Sequence, residues 1–343
     1  MKTQVNNIND LLGNPEKRFF SSGFKKVRHS LKRLHIDPIE QKISAVGAVL
    51  YPADWSIKDE PELKPHLSTL DGALLSLHLC CAYLKSIFDL TEYQLSHIWI
   101  RKVALKSGSF AQFDLDNLII VSNWKGVEET EDSLCGNVSR FSCEVGNMKI
   151  DIYIDHFVNS MNHIIKKYDT IQDLIGNMDS SFYGEVYRSI AYELTNVNVD
   201  KDNLSLSSQI TIKYPYSESK FCGIGSVYLP HYTWLDTFVC ASQQVQALFY
   251  AIDKISRDNS NNLWMREIIY EYKEPIYKPL GFVQTAAVQQ AKILKMGNQL
   301  WRTALIECSN NSSASFRLVV NIAHELPSSF MECACNLENY KRS

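Results

Sequence analysis

The sequence predicts an α+β fold of two tandem units, each a long buried helix wrapped by an antiparallel sheet. Three observations predict it: an internal repeat spanning nearly the whole chain, one segment per repeat that is apolar on nearly all sides, and period-two runs after each such segment. The 343 residues suit two domains of ordinary size, each able to bury a real core. With 45% hydrophobic residues and a formal net charge of -3, the totals exclude a disordered chain and carry no footprint of a nucleic-acid binder.

The repeat is read first, because it organises everything else. "KPHLSTLDGALLSLHLCC" at 64–81 recurs as "LPHYTWLDTFVCASQQ" at 229–244, so that Pro65, His66, Leu70 and Asp71 match Pro230, His231, Leu235 and Asp236 at a constant offset of 165. The frame holds to "HIWIRKV" and "NLWMREI", where Trp99 and Arg101 match Trp264 and Arg266. Residues 65–103 give eight identities in that frame, against roughly two or three expected from average composition. An offset of 163 extends the match upstream, pairing Phe19 with Phe182, Leu31 with Leu194, and Tyr51-Pro52 with Tyr214-Pro215. Each copy closes in an alternating run ending I-x-H, at His156 and His324.

Each unit opens with a stretch of helical spacing, "FFSSGFKKVRHSLKRL" or "FYGEVYRSIAYEL", which predicts an amphipathic helix. A strand ending at Tyr-Pro follows, then a polar loop. After the Leu-Asp pair comes a run apolar all round, the mark of a buried helix. Alternating runs such as "IWIRKVALKS", "MKIDIYID", "LWMREIIYEY" and "SFRLVVNIA" then predict an antiparallel meander. One buried helix wrapped by such a meander is the plan of a hotdog fold, so the whole chain is expected to be a double hotdog. The units are placed at 17–156 and 182–325, with a helical connector at 157–181 and a tail at 326–343.

The N-terminus has no apolar core of signal-peptide length, and the longest apolar run is interrupted by Ser76 and His78. A cytoplasmic protein without stable membrane insertion is therefore expected. Nine cysteines without paired C-x-x-C spacing argue against a disulfide framework and a zinc site; the one C-x-C, Cys333 and Cys335, is a weak metal signal. No cofactor and no metal are expected, and a homodimer is the assembly considered.

Asp71 and Asp236 sit where a buried helix begins, which suits helix capping, worth about 1 kcal/mol. That alone leaves unexplained why His66, His231, Arg101 and Arg266 recur with them. A helix N-terminus can polarise a thioester carbonyl, and a histidine five residues upstream can act as general acid or base. His66, Asp71, His231 and Asp236 are the candidate catalytic residues. Arg101, Arg266, Trp99 and Trp264 lie on strands expected to pass the helix starts, so each arginine either locks its aspartate or binds substrate. Gln243, within an apolar helix, needs a polar partner and joins the substrate-binding candidates, whereas Cys240 reads as packing. The basic run at 17–35, with Lys25, Lys26, Arg28, Lys32 and Arg33 and no acid, is a solvated face or a docking site for an acidic carrier or a phosphate.

Two resemblances arise at these residues. "PHYTWLD" resembles the H-x4-D motif of polyketide synthase dehydratase domains, but Cys240 stands where they have glutamine and the first unit lacks their H-x-x-x-G-x-x-x-x-P motif. "LLGNPEKRFFSSGFKKV" at 11–27, the chain length and the paired motifs are similar to the bacterial avirulence protein D (AvrD) family. That family is implicated in making syringolides from a beta-ketoacyl thioester and a pentulose, and A-factor-type butenolide synthases follow related logic. The resemblance implies an enzyme that transfers or condenses an acyl chain from beta-ketoacyl-ACP or acyl-CoA with a sugar or hydroxyketone. The alternatives are a non-catalytic acyl-binding hotdog, or a hotdog dehydratase or thioesterase.

Overall fold

Two 20-residue helices, Thr69–Phe88 and Trp234–Asp253, begin and end 165 residues apart. Both start in a capping box, Ser68 with Asp71 and Thr233 with Asp236, and both stop at a left-handed residue, Asp89 and Lys254. In the first, every residue but Lys85 is buried. It is long and apolar enough to cross a membrane, yet it lies inside the protein. The computed structural model describes residues 2–58, 63–214, 221–260, 263–272, 274–275, 281–310 and 316–327. Pro215, Cys333, Cys335 and the tail from 328 lie outside them.

Around the helices run β1 (Lys2–Asn7), β2 (Arg28–Asp37), β3 (Lys42–Leu50), β4 (Trp99–Lys106), β5 (Leu118–Glu129), β6 (Asn137–Val145), β7 (Met148–His156), β8 (Lys166–Thr170), β9 (Ala191–Asp200), β10 (Ser205–Lys213), β11 (Leu263–Tyr272), β12 (Gly281–Met296), β13 (Gln299–Asn310) and β14 (Phe316–Glu325). They form one 14-stranded sheet in the order β1-β9-β10-β12-β13-β14-β11-β4-β7-β6-β5-β3-β2-β8. The two halves meet at the antiparallel pair β4–β11, where Lys102 bridges Glu271 at 2.5 Å and the Trp99 indole donates to the Tyr272 carbonyl at 2.8 Å. This is the expected α+β double hotdog.

The amphipathic helices expected at the unit starts are mostly strands. Only 19–26 and 186–189 are helical turns, and β2 and β9 follow. The physical reason is a bulge. Leu31, Leu34 and Ile36, like Leu194, Val197 and Val199, face the core. In each set an extra residue with positive φ, Arg33 or Asn196, opens the first gap to three, which imitates helical spacing.

The helical connector is also corrected. Residues 166–176 hold β8 and one turn, Gln172–Ile175, ending at Gly176. They repeat β1, the turn Asn9–Leu12 and Gly13 at an offset of 163. The two arms are exchanged. β1 pairs with β9, and Ile8 N donates to Leu194 O at 3.0 Å; β8 pairs with β2, and Ile171 N donates to Leu31 O at 3.1 Å. The exchange continues inward, for Lys25 Nζ donates to the Ile190 carbonyl while its counterpart Arg188 donates to the Val27 carbonyl.

Candidate active site

The start of the first helix gathers a histidine that the repeat does not contain. Asp71 Oδ2 accepts from the Ser68 backbone at 3.0 Å, the Ser68 hydroxyl at 2.6 Å and the Tyr51 hydroxyl. Its Oδ1 accepts from His29 Nε2 of β2 at 2.7 Å. The two side chains are 2% and 9% exposed. Burial by itself pushes the Asp71 carboxyl up, but His29, Ser68 and Tyr51 together hold it below its ordinary value. Asp71 therefore stays a carboxylate and fixes His29 Nε2 as the donor.

At the second helix the same scaffold carries a different charge. Asp236 accepts from Thr233 N at 2.9 Å, Thr233 Oγ1 at 2.8 Å and the Tyr192 hydroxyl at 2.8 Å. Tyr192 stands 163 residues after His29, so a phenol replaces the imidazole. Without an imidazole partner, burial pushes the Asp236 carboxyl up to about 6, and the hydrogen bonds from Thr233 and Tyr192 offset this only in part. Asp236 thus caps its helix and carries a carboxyl raised by burial at the same time.

The recurring histidines do not meet these aspartates. Each ring instead packs on the tryptophan of the other unit, His66 against Trp264 at 5.5 Å between centroids and His231 against Trp99 at 4.9 Å. His66 is half-buried, with Nδ1 near the Lys64 carbonyl at 3.1 Å. His231 is buried, which pushes its imidazole down to about 4, and it lines a small pocket with Trp99, Tyr183, Leu229 and Thr233.

The arginines do not fold back onto the aspartates either. Arg101 lies 3.5 Å from the buried Asp155, and Arg266 Nη1 donates to the Gly108 carbonyl at 2.7 Å. Each arginine is the extra residue of a bulge, Arg101 in β4 against β7 and Arg266 in β11 against β14, which turns its side chain toward a neighbouring strand or loop. Gln243 finds its partner in the arm of the first unit, where the buried Arg18 donates to Oε1 at 3.2 Å. The buried thiol of Cys240 is pushed well up by its burial, in keeping with packing.

Much of the basic run is spent internally. Lys25 is part-buried against the second unit, Lys26 pairs with Asp54 at 2.7 Å and Arg28 with Glu185 at 2.8 Å, while Lys32 and Arg33 stay exposed. Among the described residues no cluster of three or more His, Cys, Asp or Glu is placed to hold a metal. His29 escaped sequence reading because the repeat was followed by its identities, and His29 marks a difference. The available signal was that a histidine and a tyrosine occupy matched positions in otherwise parallel copies.

Comparison with known proteins adds a family. The family profile described as Pseudomonas avirulence D protein (AvrD) matches residues 3–327. No curated protein matches. Among solved structures, the 12:0-ACP thioesterase of Umbellularia californica is similar at 11% identity, with 84% of this chain and 94% of that chain covered and a TM-score of 0.39. An acyl-ACP thioesterase of Bacteroides thetaiotaomicron is similar at 10% identity, with 88% and 99% covered and a TM-score of 0.39. A conserved hypothetical protein of Mycobacterium tuberculosis described as a double hotdog is similar at 9% identity, with 76% and 82% covered and a TM-score of 0.36.

Proposed function

The chain belongs to the avirulence D protein (AvrD) family, and from that premise we propose that it is a cytoplasmic enzyme transferring the acyl group of a beta-ketoacyl thioester to a sugar or hydroxyketone. The observation that carries this reading is the buried His29–Asp71 pair at the start of the first helix. The sequence had offered His66 and His231 for the acid/base role; His29 takes it, because a carboxylate at the start of the first helix orients it, whereas the other His–carboxylate pair, His324 with Asp253, is fully buried at the end of the second helix.

In this reading the acceptor hydroxyl approaches His29 Nδ1. As its oxygen attacks the thioester carbonyl carbon, the proton passes to Nδ1, and Asp71 stabilises the imidazolium. The positive end of the helix dipole favours the oxyanion. Collapse breaks the C–S bond, the thiolate takes the proton from His29, and an ester and a free thiol result. The carbon between the two carbonyls of the new ester is acidic. His29 can remove its proton, the carbanion can add to the acceptor ketone, and the alkoxide can recover the proton, closing a ring without any change of oxidation state.

The test is thiol release and product mass with purified protein, beta-ketoacyl thioesters and ketoses. His29→Gln and Asp71→Asn are expected to lower turnover by about 10²–10⁴-fold, while His66→Ala stays within a few-fold. Turnover unchanged in His29→Gln sinks the assignment. Release of free beta-keto acid at one rate with or without acceptor would make the protein a thioesterase instead.

A further inference from the structure

We propose that the hairpin β12–β13 is the docking surface for an acidic carrier protein that brings the acyl chain as a thioester. The proposal rests on the reading of the first helix start as the reacting centre and names the partner of that site. The internal repeat supplies the control. The two matched hairpins, β5–β6 and β12–β13, share one scaffold and differ in charge. The first ends in exposed Glu128, Glu129, Glu131 and Asp132. The second has no acid from 282 through 306 and exposes Lys292 and Lys295. Those lysines make no ion pair among the described residues, and Ile293, Leu294 and Met296 are 37%, 44% and 51% exposed around them. The first hairpin also exposes Lys125, Ile119 and Leu134, but beside its four acids; cation and apolar surface without an acid among them occurs in the second alone.

The hairpin also stands at the correct end of the molecule. His66, in the loop leading to Asp71, packs on Trp264. Trp264 pairs with Ala323, whose neighbour His324 pairs with Arg302, and Arg302 faces Ile293 across the hairpin while it binds Asp253 at the end of the second helix. The acidic hairpin lies at the other centre, for Cys135 and Tyr228 both donate to the His97 carbonyl and Tyr228 packs on His231. The basic hairpin therefore flanks the centre with the His–Asp pair, and an acidic partner is steered there and away from the second. The run at 25–33 offers less, because three of its five candidate cations are engaged within the chain.

The experiment measures binding of an acyl carrier protein loaded with a beta-ketoacyl group to the full-length protein by titration calorimetry at low and moderate salt. Lys292→Glu combined with Lys295→Glu is expected to weaken binding by about 10-fold or more, and Lys32→Glu combined with Arg33→Glu to leave it unchanged. No binding by the unaltered protein overturns the proposal, as does equal binding by the hairpin variant. Loss of phosphatidylglycerol-vesicle binding or of self-association in the hairpin variant, with carrier binding intact, assigns the surface to a membrane or a second copy and overturns it as well. Turnover of a small N-acetylcysteamine thioester, which needs no docking, reports separately on the reacting centre, so the two failures are distinguishable.

Discussion

At the residue scale, one carboxylate in two settings has two different ionisation behaviours. Asp71 has an imidazole partner and stays ionised; Asp236 has a phenol, and its carboxyl rises to about 6. The folded value of Asp236 lies above the unfolded one of 3.8. Its burial therefore costs nothing below that value. The penalty grows as pH rises from about 4 to 6 and reaches about 3 kcal/mol above. Asn carries no such penalty. The stability of Asp236→Asn relative to the native protein should thus move in favour of the variant by about 2 kcal/mol between pH 4 and pH 7, read by denaturant unfolding at both values. A constant difference would mean that Asp236 ionises normally in the folded state. The motif P-H-x-[ST]-x-L-D was legible as a helix start in both copies. The histidine that meets Asp71 was not, because His29 reaches it from a strand 42 residues earlier and only the fold brings them together.

At the element scale, the buried helices and most of the strands could be read from spacing alone. The unit starts could not, since the bulges at Arg33 and Asn196 break the strand period where the core face needs it. The turn before β2 is fixed by contact as much as by sequence. A Cβ on Gly23 would lie 1.7 Å from the Trp55 carbonyl oxygen, closer than any side chain tolerates, and that oxygen belongs to backbone. Gly23→Ala must therefore push the turn at 19–26 away from Trp55, which packs on Tyr51 beside Asp71. A loss of roughly 2–4 kcal/mol is expected, measured by chemical denaturation, with a matching fall in turnover. Stability within 0.5 kcal/mol of the native protein, on the order of a neutral surface change, would mean that this turn is not held against Trp55 as described.

At the scale of the whole molecule, the exchanged arms make the halves interdependent. β1 and the turn Asn9–Leu12 complete the second unit, and β8 with its turn completes the first. A fragment of residues 1–160 keeps an arm with nothing to cover and a β2 edge with nothing covering it. It should associate by laying its arm on β2 of a second copy, seen as a dimer by light scattering, whereas co-expression with 161–343 should give a one-to-one complex of the two fragments instead. A monomeric 1–160 fragment with a cooperative melt would contradict this. The exchange was invisible in the sequence because two equal offsets fit an arm placed on its own unit as well as one placed on the other. It also sets a schedule for synthesis. β1 is finished by Asn7, and its partner β9 begins at Ala191. At ribosomal speeds the first strand of the nascent chain waits about 10–40 s for the edge it will occupy. During that interval its backbone is open to chaperones and to other nascent chains, so the pace of translation between those points governs how cleanly the protein is made.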